Sequence, residues 1–267
     1  MNPASRLLPT NASIQDGHLV VGGCDTIEMA ERFGTPLYLF DEADLQEQCL
    51  DFARAMAGGP PGSRGLYALK AFPSVAMAAL AHRAGLGILC ASGGEVAVAD
   101  AAGVPAADRV LHGNNKADEE LGAPVGRIVV DSFDEIERLE KMGVEGAVWL
   151  RVAPGLDAGG HEFIRTGGVD TKFGVSMAQA VDAARRLSSI GGVRLAGLHA
   201  HVGSQLFGVE EHVELARIMV PFLREVSEAT GIELRELDLG GGFAIAYTDR
   251  DPPVTTPAEV AREVLRR

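Results

Sequence analysis

The sequence predicts an α/β protein, a (β/α)8 barrel of the TIM type whose eighth strand is missing from this chain. Short β-type runs alternate with helical runs over most of the 267 residues, which is typical of βαβ units and a parallel sheet. Seven such units can be counted, one fewer than a closed barrel needs. Several of the strands also lead directly into a capped helix, as expected for barrel units.

The composition favours a globular protein with a small-molecule partner. Hydrophobic residues make up 46% of the chain, enough to bury one large core. The net charge of −13 argues against binding to nucleic acid or to anionic membranes. Three scattered cysteines fit free thiols in a reducing cytoplasm. The first residues lead into no apolar targeting segment, and no run is long enough to cross a membrane, so a cytoplasmic location is expected.

The N-terminal part of the chain precedes the predicted barrel. Residues 1–33 are mixed and turn-rich, and we assign them to a separate N-terminal segment. Residues 37–40 are predicted to form a short strand after a Gly-Thr-Pro turn. Asp41 is a suitable N-cap for a helix over 42–56. The barrel portion is assigned to residues 34–267.

Seven strands are predicted for the sheet, at 66–70, 87–92, 109–113, 127–131, 146–152, 194–201 and 234–239. Two of them end in a serine followed three residues later by a glutamate. Ser92 with Glu95, and Ser132 with Glu135, both have the spacing of a capping box, in which the two side chains satisfy opposite amides of the first helical turn.

The last third of the chain contains two predicted helices. Residues 210–230 have a broad apolar face, with Pro221 as a kink and Gly231 as the C-terminal stop. A capping box at 256–259 opens a second helix that runs to Arg267. An eighth strand should follow, so we interpret the chain as incomplete, with a genuine open sheet as the alternative.

Lys70 stands near the end of the apolar run Leu-Tyr-Ala-Leu-Lys-Ala at 66–71. A lysine drawn into an apolar interior there should have a lowered pKa, and its neutral amine could form a Schiff base with a carbonyl. The alternative is a lysine whose ammonium group extends from a strand end into water. Lys70 is the candidate catalytic residue on the first strand.

Polar residues at the ends of later strands supply a second group of candidates. His199 and His201 lie on one face of their strand, and Ser204 follows in a polar turn that could bind an anion. A packing role is the alternative for His199. A metal site is not expected, because further histidine and aspartate ligands on later strands are lacking.

Three consecutive glycines and a buried arginine complete the candidate site. Gly240, Gly241 and Gly242 follow the seventh strand, where missing Cβ atoms would let backbone amides approach a phosphate; a flexible turn is the alternative. Arg151 lies within the fifth strand, where a buried guanidinium needs a phenolate or carboxylate acceptor. Lysine, histidine and a phosphate cradle at strand ends are what pyridoxal phosphate requires of a barrel.

Seven motifs resemble the diaminopimelate decarboxylase family, a member of the alanine-racemase-like (fold type III) pyridoxal-phosphate enzymes. The motifs are Tyr-Ala-Leu-Lys-Ala at 67–71, Ala-Ser-Gly-Gly-Glu at 91–95, His-Gly-Asn-Asn-Lys at 112–116, the residues at 161–167, Lys-Phe-Gly at 172–174, His-x-His-Val-Gly-Ser-Gln at 199–205 and Asp-Leu-Gly-Gly-Gly at 238–242. The resemblance runs from about residue 34 to 250.

The resemblance implies a role for each candidate. Lys70 would hold pyridoxal 5′-phosphate covalently, His201 would stack on its ring, and Arg151 would face the phenolic oxygen. Ser204 and the glycines at 240–242 would hold the phosphate. The implied reaction is decarboxylation of meso-2,6-diaminopimelate to L-lysine, with a small amino acid as the partner and a homodimer for the full-length enzyme.

Two departures from the family pattern are visible. Leu89 stands where the family commonly has an aspartate. The strand that supplies the acidic partner of the pyridine nitrogen is absent, and so is the C-terminal β domain against which residues 1–33 would pack. Two alternatives to a diaminopimelate decarboxylase therefore stay open: a related pyridoxal-phosphate decarboxylase with another diamino acid or carboxy-amine as substrate, and a non-catalytic homologue that binds the cofactor.

Overall fold

The computed structural model describes residues 7–155 and 172–267, and the N-terminal part of this range forms a small antiparallel sheet. Its strands are β1 (Ser13–Gln15), β2 (His18–Val21) and β3 (Cys24–Asp25), in the order β1-β2-β3. Asp25 then caps helix α1 (Thr26–Phe33), because its carboxylate accepts the N–H of Ile27 at 2.8 Å. The segment predicted only as turn-rich thus contains ordered strands.

The strand predicted at 37–40 does not form. The segment is irregular, and Tyr38 is 87% exposed. Within the described part of the chain, no strand pairs with it, so its backbone groups have no ladder to join. Phe40 instead stacks on Phe72, with ring centroids 4.4 Å apart. The following helix α2 (Glu42–Met56) is as predicted, with Asp41 accepting the N–H groups of its first turn.

All seven predicted strands of the central sheet are confirmed, most of them shorter than expected at the C-terminal end. They are β4 (Leu66–Ala68), β5 (Gly87–Cys90), β6 (Arg109–Leu111), β7 (Arg127–Val130), β8 (Gly146–Ala153) with the two-residue β9 (Val175–Ser176) paired to its end, β10 (Val193–His199) and β11 (Glu236–Asp238). The order is β11-β10-β8-β7-β6-β5-β4, and every pair is parallel. This is the predicted α/β barrel sheet, open between β4 and β11.

The helices between the strands are α3 (Val75–Arg83), α4 (Gly93–Ala101), α5 (Asp118–Leu121), α6 (Phe133–Met142), α7 (Met177–Ser189), α8 (Glu210–Thr230) and α9 (Pro257–Leu265). Helix α8 has the predicted bounds, contains Pro221 and ends at Gly231, whose φ of 72° is left-handed. Helix α9 has the predicted capping box between Thr256 and Glu259. Within the described residues, no helix combines the length and hydropathy needed to cross a bilayer.

The other two capping boxes form only in part. Ser92 and Ser132 each accept the N–H of the glutamate three residues on, as predicted. The glutamates, however, reach past the serine. Glu95 accepts the N–H of Ala91, and Glu135 accepts the N–H of Asp131, both at 2.8 Å. Each carboxylate therefore ties the strand end to the helix start, rather than closing the cap on the serine itself.

The two faces of the sheet have different surroundings. Val148, Leu150 and Val152 of β8 are buried in the main hydrophobic core, with residues of α6, α7 and α8. Because side chains alternate along a strand, Trp149 and Arg151 lie on the opposite, inner face. The inner face therefore carries the polar side chains at the strand ends.

An ion pair across the inner face shows that the sheet is curled. Arg127 of β7 donates to both carboxylate oxygens of Glu236 of β11, at 2.7 and 2.6 Å, although β8 and β10 lie between these strands. Trp149 donates to the same carboxylate at 2.6 Å. Burial raises the pKa of Glu236, but the donors from Arg127 and Trp149 outweigh it, so the net shift is downward.

The two ends of the sheet are linked through helices. Helices α2 and α9 pack together through a small cluster that contains Ala55, Ala258 and Ala261. The ring of Phe243, just after β11, contacts Phe52 of α2 edge-on at 6.0 Å. The outer layer thus spans the gap that the strands leave between β4 and β11.

Candidate functional site

The carboxyl ends of β4, β8, β10 and β11 bring the predicted site residues to one end of the sheet. Lys70 is not in a strand, but in the 3-10 turn Leu69–Ala71 that follows β4. Its side chain is exposed, so the predicted burial of this lysine is wrong. Leu69 takes the buried position instead, at 0% exposure. The Lys70 side chain is therefore accessible at the carboxyl end of β4.

His201 lies just beyond β10 and contacts the glycine loop. Burial, together with the positive charges of Arg151 and Lys70, lowers the pKa of His201 to about 4. Its Nδ1 atom accepts a long hydrogen bond of 3.4 Å from the N–H of Gly241. The imidazole is therefore neutral near pH 7, with Nδ1 directed at the glycine loop.

His199 packs against a histidine that the sequence analysis left without a role. The rings of His199 and His112 meet edge-on, with centroids 4.2 Å apart. Burial, followed by the charges of Arg151 and Lys116, lowers the pKa of His112 to about 2, and burial also lowers the pKa of His199 well below its usual range. Both rings are neutral, so the centre of the site holds cations but no charged histidine.

Arg151 is buried and held from two sides. Its Nη1 donates to Asp131 at 3.1 Å, and Phe173 covers the guanidinium, with 4.4 Å from the central carbon to the ring centroid. The predicted need for an acceptor is thus met by a protein carboxylate. Asp131 in turn accepts from the amide of Asn114 at 2.7 Å. The guanidinium therefore has a fixed orientation before any ligand binds.

A second buried ion pair, between Lys116 and Glu135, helps to hold Asp131 in position. The Lys116 ammonium donates to both oxygens of Glu135, at 2.9 and 2.8 Å, and each of the two residues is only 2% exposed. The same glutamate accepts the N–H of Asp131. Burial lowers the pKa of Lys116, and the charge of Glu135 opposes this shift. The pair anchors the strand end that carries Asp131.

The glycine loop contains two positions that the fold itself reserves for glycine. A Cβ atom at Gly240 would lie 2.5 Å from Nδ1 of His201, and one at Gly242 would lie 1.9 Å from the carbonyl oxygen of Gly203. Both residues also have left-handed backbones, with φ of 67° and 102°. The glycine loop therefore packs closely against His201 and against the turn that contains Gly203 and Ser204.

Gly241 differs from its neighbours. A Cβ atom there would meet only the ring of Phe243, at an ordinary 3.7 Å, so the protein alone does not require glycine at this position. In the described part of the chain, the N–H of Gly242 and the hydroxyl of Ser204 have no hydrogen-bond partner. The space beside Gly241 and these free donors are suited to an anion such as a phosphate.

Asp238 ends β11 directly below this loop. Its Oδ1 accepts the N–H of Gly240 at 2.7 Å. Burial raises the pKa of Asp238 to about 6, although the Gly240 amide and the Arg151 charge act in the opposite direction. This carboxyl group is therefore poised to change its protonation close to neutral pH.

Sequence reasoning placed several residues outside the candidate site that the structure brings into it, with Glu135 predicted only as a helix cap: His112, Asn114, Lys116, Asp131, Glu135 and Asp238. Most of them stand at or just after a predicted strand end, which was the available signal. The motif at 161–167 lies outside the described residues. Leu89 pairs in register with Ala68 and Val110 on the neighbouring strands. The sheet is therefore apolar at the position where the family commonly has an aspartate. Among residues 7–155 and 172–267, no group of acidic, histidine or cysteine side chains could hold a metal ion.

The curled parallel sheet defines an α/β barrel domain, with an accessible lysine and free hydrogen-bond donors at the carboxyl ends of its strands. The chain belongs to the pyridoxal-dependent decarboxylases. Residues 42–267 match the pyridoxal binding domain of that family.

The relatives narrow the comparison to one kind of decarboxylase. The chain is 40% identical to the diaminopimelate decarboxylase of Bacillus subtilis over 92% of its own length, and 41% identical to that of Corynebacterium efficiens over 96%. It covers 58% of each of these relatives.

Solved structures agree with the relatives. The diaminopimelate decarboxylase of M. jannaschii superimposes with a TM-score of 0.86 at 29% identity, over 97% of this chain and 62% of that one. A lysine/ornithine decarboxylase from Vibrio vulnificus, in complex with putrescine, gives 0.73 at 26% identity, over 90% of this chain and 62% of that one. The chain thus spans about three fifths of the proteins it resembles.

Proposed function

We propose that this chain is the cofactor-binding part of a decarboxylase that converts meso-2,6-diaminopimelate to L-lysine and CO2. The observation that carries the proposal is the convergence of an accessible lysine, a neutral histidine and a glycine cradle at the carboxyl ends of the strands. The named relatives, at about 40% identity, support diaminopimelate as the substrate.

Each residue has a definite part in this proposal. Lys70 would hold pyridoxal 5′-phosphate through the carbonyl carbon of the cofactor, and its exposed position would leave that carbon accessible to an amino-acid substrate. Ser204 and the N–H of Gly242 would bind the phosphate in the space beside Gly241. His201, neutral at pH 7, would lie against the face of the ring and add no charge there.

Arg151 is the cation of the site that would face the phenolic oxygen of the cofactor. Its Nη1 already binds Asp131, so the remaining N–H groups of the guanidinium are those available to a ligand. When bound, the cofactor supplies the electron sink that accepts the pair left by the departing carboxylate. The protein's own part is to orient the cofactor ring, to hold it in place and, through Arg151, to neutralise the charge on its phenolic oxygen.

The arrangement of the whole enzyme belongs to the same proposal. We assign residues 34–267 to the barrel and residues 1–33 to a segment that packs against a further β domain. A homodimer in the cytoplasm is the proposed state of the full-length protein.

A second candidate is decarboxylation of another diamino acid. The likeness to the lysine/ornithine decarboxylase of V. vulnificus favours it, although the sequence identity there is lower, at 26%. Release of CO2 from meso-diaminopimelate, L-lysine and L-ornithine, compared side by side, separates the two candidates.

The assignment of Lys70 is tested by trapping the cofactor. The chain is incubated with pyridoxal phosphate, reduced with borohydride and digested, and the labelled peptide is identified by mass spectrometry. The label should fall on Lys70, and Lys70→Ala should lose both the label and the visible absorbance band. A stoichiometric label on another lysine in the parent, or an unchanged band in Lys70→Ala, would contradict the assignment.

The cradle is tested with two valine substitutions. Gly241→Val should weaken binding of pyridoxal phosphate while leaving the melting temperature nearly unchanged, because the added Cβ meets only the ring of Phe243, at an ordinary contact distance. Gly240→Val should lower the melting temperature, because its Cβ would collide with His201. Equal cofactor affinity in Gly241→Val and the parent would rule out this location for the phosphate.

A further inference from the structure

Asp238 carries a carboxyl group next to the glycine loop, at which the proposed function puts a phosphate. Its Oδ1 accepts the N–H of Gly240 at 2.7 Å, and its backbone carbonyl accepts the N–H of Ala200 at 2.9 Å. It therefore joins the glycine loop to the neighbouring strand. A phosphate bound at Gly241 and Gly242 would lie beside a group that is itself an anion when ionised.

The surroundings offer Asp238 little compensating charge. Arg151 of β8 is the cation that acts on it, but this guanidinium is already paired with Asp131. His199, which pairs with Asp238 in the register of β10 and β11, is neutral. His201, two residues beyond the end of β10, is neutral as well.

Among the described residues farther out, Lys70 is joined to the cofactor in the proposed function, and Arg127 is paired elsewhere. Glu236, two residues earlier on β11, is paired with Arg127. Burial lowers the pKa of His212 on α8, which favours the uncharged imidazole near neutral pH. A phosphate dianion would thus add a like charge to a poorly compensated carboxylate.

We propose that Asp238 takes up one proton when the cofactor phosphate binds, so that cofactor binding and protonation of this carboxyl group are coupled. This inference rests on the proposed function. A buffer acid in solvent gives up the proton, so its own bond to that proton breaks and its conjugate base remains in solution, while an O–H bond forms on the carboxyl group. The carbonyl oxygen of the neutral acid still accepts the Gly240 N–H, so the loop keeps its shape.

The pKa of about 6 makes the coupling measurable near neutral pH. At pH 7, a group with that pKa is about one tenth protonated, and a like charge that raises the pKa by about 1 to 3 units brings it to between one half and full protonation. The expected uptake at Asp238 is therefore about 0.4 to 0.9 proton per cofactor bound.

The test compares proton uptake by the parent and by Asp238→Asn, both as the full chain. Pyridoxal phosphate is titrated calorimetrically at pH 7 in two non-nucleophilic buffers of different ionisation enthalpy, which gives the number of protons bound. Asparagine keeps an acceptor for Gly240 but cannot titrate. Protonation changes at the cofactor, at Lys70 and at the histidines are common to both proteins and cancel in the difference.

Two controls make the result specific. Asp249→Asn alters an exposed carboxylate away from the loop and should match the parent. Pyridoxal, which lacks the phosphate, should show no difference between the parent and Asp238→Asn. With pyridoxal phosphate, the parent should take up about 0.4 to 0.9 proton more than Asp238→Asn, and its affinity should fall more steeply from pH 6 to pH 8.

The outcomes separate this inference from the proposed function. If the parent and Asp238→Asn both bind pyridoxal phosphate and take up equal numbers of protons, the coupling is wrong while the cofactor site stands. A difference that persists with pyridoxal would also overturn it, because the phosphate would not be its cause. If neither protein binds pyridoxal phosphate at any pH, the proposed function fails and takes the inference with it.

Discussion

Acid sensitivity is expected from two of the site histidines whose pKa values are strongly lowered. His112 and His201 titrate at about 2 and about 4 in the folded protein, because both are buried and face Arg151. In the unfolded chain, a histidine titrates near 6.5. Below pH 6.5, protons therefore bind the unfolded state first, and stability present above this pH is lost progressively down to the folded-state pKa.

The size of the effect follows from the pH interval. At pH 5, which is about 1.5 units below the pKa of a histidine in the unfolded chain, each of these histidines lowers the free energy of unfolding by about 2 kcal/mol, at about 1.36 kcal/mol per pH unit. The two together lower it by about 4 kcal/mol. This is a large part of the roughly 5–15 kcal/mol that holds a typical domain together. We expect marked destabilisation between pH 6.5 and 5.

The assay is urea unfolding at pH 7.5 and at pH 5, for the parent, His112→Gln and His201→Gln. Each substitution should reduce the loss of unfolding free energy between the two pH values by about 2 kcal/mol, because glutamine cannot be protonated. Asp238 acts in the opposite direction, since its raised pKa favours the folded state as the pH falls, but it is present in every protein and cancels. An identical pH dependence in the parent and both variants would refute the reasoning.

The two buried ion pairs yield further predictions. Glu135→Gln leaves the Lys116 ammonium buried without its counter-charge and should cost about 3–5 kcal/mol of unfolding free energy, whereas Glu137→Gln on the exposed side of the same helix should change it by less than about 0.5 kcal/mol. Equal urea midpoints for these two variants would contradict the prediction. Asp131→Asn should release the guanidinium of Arg151, lower the affinity for pyridoxal phosphate by about tenfold and shift the absorbance maximum of the bound cofactor. An unaltered spectrum and affinity would show that Asp131 does not position Arg151.

The order of the strands, the bounds of helices α2 and α8 and the start of helix α9 could be predicted from the sequence, because local signals set them. Asp41, Gly231 and the capping box at 256–259 are short-range features that act within one helical turn. The strand predicted at 37–40 failed because local β propensity is not enough without a partner strand.

The details of the site depend on contacts between distant strands, which the sequence does not display. Lys70 is exposed because Leu69, one residue earlier, fills the core after the strand has ended. Glu135 bonds Lys116 and the Asp131 amide, although its spacing from Ser132 predicted a simple cap. The pairing of His112 with His199 required the curl of the sheet to be known.

The ion pair between Arg127 and Glu236 joins residues 109 positions apart in the chain. Closing a loop of that length costs about 4 kcal/mol of chain entropy unless the intervening strands are already paired. The contact should therefore form late in folding, after β8 and β10 have docked. Since the chain's single tryptophan donates to the same carboxylate, its fluorescence should follow this step, and the curling of the sheet can be timed separately from the formation of its strands.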